Sequence, residues 1–222
     1  DLVWKGTDSF SNYERSEAVA YADGKSLLID LNTDASVSVN TAMQPSVLYA
    51  MPTKGQRVTL SGTGSLTGDM DLWKSQQGTL VANVPLDYTG TTYISEGTLE
   101  VNGEIKGNVN LRARGTLSGK AIVNAISFEG ALNYEGCRLM PTEQMTFKQG
   151  LKLDRKVYME MDITTAEGSQ SADLIKVEGD LTVTAPKVVF TIVPAENDVQ
   201  PGKFKLIEYT GQLTGKANFS VR

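Results

Sequence analysis

The triplet Gly-Thr-Leu stands at Gly78-Thr79-Leu80, at Gly97-Thr98-Leu99 and at Gly115-Thr116-Leu117, each time opening a short run of alternating polarity. Gly78 to Gly97 spans 19 residues and Gly97 to Gly115 spans 18, a period typical of solenoids. Gly130-Ala131-Leu132 reads as a degenerate fourth copy. A strand this short cannot stand alone in a hairpin, because it buries too little surface to offset its ordering entropy. Laid over an equivalent strand of the next coil, it gains ladder hydrogen bonds on both sides, and its inward Leu joins an apolar column. An antiparallel sandwich also has short strands and Gly-rich turns, but nothing in it requires the same triplet in the same setting.

Alternation with period two fills most of the chain, as in Val37 and Val39, Val58 and Leu60, Val109 and Leu111, and Leu151 and Leu153. The best local helix candidate is residues 16–21 (SEAVAY), too short to stand on its own. From Lys156 the apolar runs lengthen, and Pro194, Pro201 and Gly202 punctuate them as in hairpins. The expected architecture is all-β: a right-handed, single-stranded parallel β-helix with terminal capping strands. Residues 1–222 form one domain in this reading. Residues 1–40 make an N-terminal cap and first strands, 41–150 the repeat coils, and 151–222 the last coils and a C-terminal cap.

Composition narrows the chemistry. The chain has 222 residues and a net charge of −5, with its 21 Lys and Arg scattered, so there is no basic stripe for a nucleic acid. There is no His, which removes a Ser-His-Asp triad, a His metal ligand and a His general base. One Cys, Cys137, allows no intrachain disulfide. Beside Arg138 it could be an activated thiolate; without a His partner it reads as a buried filler. No apolar run is long enough for a transmembrane helix. Asp1-Leu2-Val3-Trp4 opens in mid-strand without a signal peptide, as a processed or excised chain would.

Residues 59–103 carry a denser pattern. Gly62, Gly64, Leu66 and Gly68 are followed by Leu72-Trp73-Lys74, then Gly78-Thr79-Leu80, Tyr88-Thr89-Gly90-Thr91-Thr92 and Gly97-Thr98-Leu99. In this order they resemble the autotransporter-associated β-strand repeat of secreted and surface bacterial proteins. Pro85-Leu86-Asp87 departs from that family's usual lead into the aromatic. The opening Trp-x-Gly strand with Asp30 resembles the family too, as does the closing pair SADLIKVEGDLTVT and VQPGKFKLIEYTGQLTG. The resemblance implies a right-handed β-helix outside the cytoplasm that serves as stalk, spacer or passenger, and it implies no reaction. No outer-membrane barrel follows Arg222, so self-transport by this stretch is not expected.

Three groups of side chains are candidates for chemistry. Asp69-Met70-Asp71 and Glu160-Met161-Asp162 put two acids on one strand face, suited to Ca²⁺ or a glycosidase dyad. The simpler reading turns the acids to solvent and the Met side chains to the core, and it is preferred. Arg112 and Arg114, near Lys106 and Lys120, suit either an acidic glycan or a gatekeeping role on an exposed sheet. Trp73, Tyr88 and Tyr93 are the candidate ligand-binding residues, through stacking on a sugar ring. Against this, Trp73 could cover a corner and Tyr88 could cap a turn. The expected molecule is a non-catalytic scaffold, stalk or presentation module that is secreted, periplasmic or at the cell surface. It would have no cofactor and no metal. Its partners would be neighbouring domains of the parent chain, and polysaccharide is a further candidate. The alternatives are a carbohydrate-binding module, which needs an exposed aromatic row, and the body of a β-helical polysaccharide lyase, which needs acids and a base converging in a cleft.

Overall fold

The computed structural model describes residues 2–4, 10–12, 18–19, 21–30, 32–130, 136–165, 170–195, 200–216 and 219–222. It is an all-β parallel β-helix. The chain alternates between two long parallel sheets and a shorter third face. One long sheet runs through Ser26–Ile29, Val47–Ala50, Asp71–Lys74, Thr91–Ile94, Glu104–Arg112 and Ile122–Glu129. The second runs through Ala35–Ser38, Arg57–Ser61, Thr79–Ala82, Gly97–Val101, Gly115–Gly119, Cys137–Pro141, Val157–Thr164, Val188–Pro194 and Phe219–Val221. The third face begins as Ala42–Met43 beside Ser65–Leu66 and continues through Leu66, Leu86 and Ile105. It merges into the first sheet where the strand turns the corner between Ile105 and Asn108 without breaking.

The expected internal stack is present. Leu80 lies opposite Leu99, Leu99 opposite Leu117, Leu117 opposite Leu139, and Leu139 opposite Met159. Each of these side chains is fully buried. Alternation decides which residues enter the stack; the parallel register puts like over like. The storey after Leu117 is carried by Leu139, so the place of a fourth triplet is taken by Cys137-Arg138-Leu139 and not by Gly130-Ala131-Leu132. Gly130 instead follows the long strand Ile122–Glu129, and Ala131 and Leu132 lie outside the described residues.

The Gly of each triplet has a steric cause. A Cβ on Gly78 would come within 2.3 Å of the Thr53 carbonyl oxygen, on Gly97 within 2.4 Å of that of Gln76, and on Gly115 within 2.4 Å of that of Ile94. Corner backbones of successive storeys touch there, and no side chain fits between them. Aspartates fasten corners as well, Asp34 at the entry to the second sheet and Asp180 at a different corner, before Leu181–Val183. Asp34 Oδ1 accepts the Arg57 N–H at 2.8 Å, and Asp180 Oδ1 accepts that of Gln212 at 2.8 Å.

The ends differ from the sequence reading. Within residues 16–21, Ala18–Val19 is a strand, and residues 16, 17 and 20 lie outside the description. That strand, Phe10–Asn12 and Leu2–Trp4 pair antiparallel, at the N-terminal edge of the first sheet. The hairpins expected after Lys156 are parallel coils: Val157–Thr164 pairs parallel with Val188–Pro194, and that strand with Phe219–Val221. Among the described residues after Lys156, only Ile163 and Thr164 pair antiparallel, with Ala172 and Ser171. In the parallel arrangement Met159 lies over Leu139 and is fully buried, extending the apolar column.

Candidate functional site

The outer face of the first sheet carries the aromatic row that the sequence suggested. On Asp71–Lys74 the inward residues are Leu72 and Lys74, so Trp73 points out, and the parallel register sets it opposite Tyr49 on one side and Tyr93 on the other. The Trp73 and Tyr93 rings stack with centroids 4.0 Å apart and planes 18° from parallel. Neighbouring strands are about 4.8 Å apart, so the stacking axis follows the axis of the solenoid and the rings stand on edge to solvent. Each ring turns one face to the other. Tyr49, at 41% the most exposed of the three, was missed in the sequence because its coil is longer and its spacing differs. The register alone reveals it.

Arg112 completes this face. Its guanidinium carbon is 5.4 Å from the centroids of both rings, so it lies beside the stack rather than capping either end. Glu129 holds it at 3.2 Å, and Asn110 Oδ1 accepts from its Nε at 3.3 Å. Asn110 in turn donates to Glu129 at 2.8 Å. The charge is therefore already engaged. Lys106 pairs Asp87 at 2.8 Å and Lys120 pairs Glu143 at 2.6 Å, exposed contacts that solvent screens.

Tyr88 belongs to the interior. It is fully buried, and its hydroxyl is hydrogen-bonded to that of Thr92, which occupies an inward position opposite Leu72 and Val109. Burial holds its phenol well above the ordinary tyrosine range. Among the sequence candidates, the structure thus joins Trp73 to Tyr93 and sets Tyr88 apart as the cap of a buried hydroxyl. Tyr88→Phe should lower unfolding free energy by about 1–2 kcal/mol, because Thr92 keeps its desolvated hydroxyl without a partner. Denaturant unfolding of the two proteins checks this.

The motif residue with the least ordinary environment is Lys74. It stands at an inward position, opposite Ala50 and Ile94, and is fully buried. Its ammonium donates to the carbonyl oxygens of Ser75, Gln76 and Glu96 at 2.9, 2.7 and 2.8 Å. Ser75 and Gln76 form one corner and Glu96 the next, so this single side chain ties two storeys together. Burial draws its pKa down to about 8, against the opposing pull of the Glu96 charge.

In both acid pairs the methionine between the acids points inward. Met70, Met159 and Met161 are fully buried, as the alternation required. Asp71 Oδ1 accepts the Thr91 N–H at 2.7 Å. Asp162 lies near Asp173; burial and then that neighbour raise its carboxyl above the usual range. Asp173 itself accepts backbone N–H groups of Glu143 and Asp162 at 2.7 and 2.9 Å. Among the described residues, no group of three or more acidic, Cys or His side chains is arranged to hold a metal ion. Cys137 is buried with Sγ 3.1 Å from the Leu111 carbonyl oxygen, and burial pushes its thiol up to about 12, opposite to an activated thiolate. Among the described residues, no helix is long and apolar enough to cross a membrane. Compared with known proteins, the chain matches no family model, no curated protein and no solved structure.

Proposed function

We propose that this chain is a non-catalytic β-helical scaffold that spaces or presents a neighbouring domain of an exported bacterial protein. The observation that supports it most is the unbroken internal column of Leu80, Leu99, Leu117, Leu139 and Met159. A column in constant register gives a rod of fixed rise, and the nine strands of the second sheet correspond to about 38 Å along its axis. Its place outside the cytoplasm rests on the resemblance of residues 59–103 to the autotransporter-associated repeat. A carbohydrate-binding role for Trp73 and Tyr93 is less favoured, because their rings face each other and not the solvent.

The test is turnover. Incubated with acidic and neutral plant polysaccharides, the protein should leave polymer length unchanged in size-exclusion profiles. Shortening of any of them would overturn the scaffold reading in favour of a lyase or hydrolase.

A further inference from the structure

A groove of about 580 Å³ runs along the corner that leads into the second sheet, lined by Gln77, Glu96, Gly97, Arg114, Gly136, Arg138 and Tyr158. Those residues flank five successive strands, from Thr79–Ala82 to Val157–Thr164, so the groove is roughly 19 Å long and parallel to the axis. Its volume falls in the range of small-molecule sites, about 300–1,000 Å³.

One end of the groove is strongly cationic. Around the Tyr158 ring, Arg138 lies at 5.2 Å, Lys156 at 5.1 Å and Arg222 at 5.4 Å. Several cations elsewhere on this acidic protein are matched: Arg57 with Glu100, Lys148 with Glu104, Lys176 with Glu178. Among the described residues no carboxylate side chain pairs with Arg138, Lys156 or Arg222. A hydrogen bond from Lys156 and the charges of all three hold the Tyr158 phenol below its ordinary value, against its partial burial.

The backbone is shaped around this cluster. A Cβ on Gly136 would come within 2.8 Å of the Tyr158 ring and 2.6 Å of the Lys156 carbonyl oxygen, so only glycine lets the ring lie there. Arg114 holds a φ of 73°, in the left-handed region that a non-glycine residue enters only when its surroundings impose it. The far end is different: Gln77 donates to Glu96 at 3.0 Å, and both line the groove. An anion without hydroxyl donors would meet only the repulsion of the Glu96 carboxylate there. A ligand with hydroxyl donors would be accepted by it.

We propose that this groove binds an acidic saccharide, with a sugar carboxylate on Arg138 and Lys156 beside the Tyr158 ring and hydroxyls toward Gln77 and Glu96. The site is separate from the Trp73–Tyr93 row, and it holds whether or not the chain is a scaffold: affinity decides this proposal, polymer length decides the other.

Calorimetric titration with oligogalacturonate is the experiment, with inorganic sulfate, a polyglutamate peptide and a neutral xylo-oligosaccharide as the other arms. Oligogalacturonate should bind with an affinity that falls as salt rises. R138Q should weaken it about tenfold or more, as expected for loss of a charge-assisted fork. K156Q should weaken it as well, and it carries the test alone if R138Q does not fold by circular dichroism. K106Q, on another corner, should leave it unchanged. Absence of oligogalacturonate binding, equal binding by the R138Q and K156Q variants, or an equal or tighter response to sulfate, polyglutamate or the neutral sugar would each overturn the proposal.

Discussion

Gly97→Ala is expected to lower the unfolding free energy by about 3–5 kcal/mol, while Gly103→Ala, six residues away, should change it by no more than about 1 kcal/mol. At Gly97 two costs coincide. Its φ of 70° is in the left-handed region, and an added Cβ would lie 2.4 Å from the Gln76 carbonyl oxygen and 2.5 Å from that of Gly78. Both obstacles are backbone, so a side-chain rotation cannot relieve them and adjacent corners must separate. At Gly103 an added Cβ meets nothing within 4 Å, and the change even removes freedom from the unfolded chain. Urea unfolding of the two variants separates close approach from generic glycine loss. Equal effects would show that the corners are not in contact in solution.

The second large effect lies at the same corner. Lys74→Met should cost about 3 kcal/mol near neutral pH. Three carbonyl oxygens lose a charged donor, and that loss exceeds what the removal of a buried charge returns. The cost should depend on pH in a particular direction. The folded pKa of Lys74, about 8, lies below its unfolded value of 10.5, so between these values the unfolded chain binds more protons than the folded one. The stability of the wild type relative to K74M should therefore rise as pH increases from about 8 to 10.5, and be flat below about 8. Parallel denaturant titrations across that window measure it. A relative stability that falls with pH would mean that the three carbonyls hold the ammonium charged more strongly than burial opposes it.

Much of the interior could be read from the amino acids in order. Period-two alternation named Val58, Leu60, Leu80, Leu99 and Leu117 as inward, and all are buried. The spacing of 19 and 18 residues set Leu80, Leu99 and Leu117 over one another. The candidate site was less legible. Trp73 and Tyr93 were named one by one, yet their stacking depends on a coil that brings position 93 onto position 73. Lys74 was named only as the end of the Leu72-Trp73-Lys74 motif, without a role, whereas it occupies an inward position and ends among carbonyls that belong to two corners. Tyr49, Tyr158 and Gly136 carry no repeated signal, because the coils around them differ in length.

Sequence alone determined the class of fold and the apolar column of the core. An alternating strand has only two faces to choose between, and its apolar residues choose for it. Tertiary structure decided who meets whom on the outside. The Arg57–Glu100 pair, the Trp73–Tyr93 stack and the cations around Tyr158 each join different storeys, and the pairing of storeys is fixed by the length of the turns between them. Turn length leaves the local alternation untouched. Outer neighbours therefore become visible only once the coils have closed.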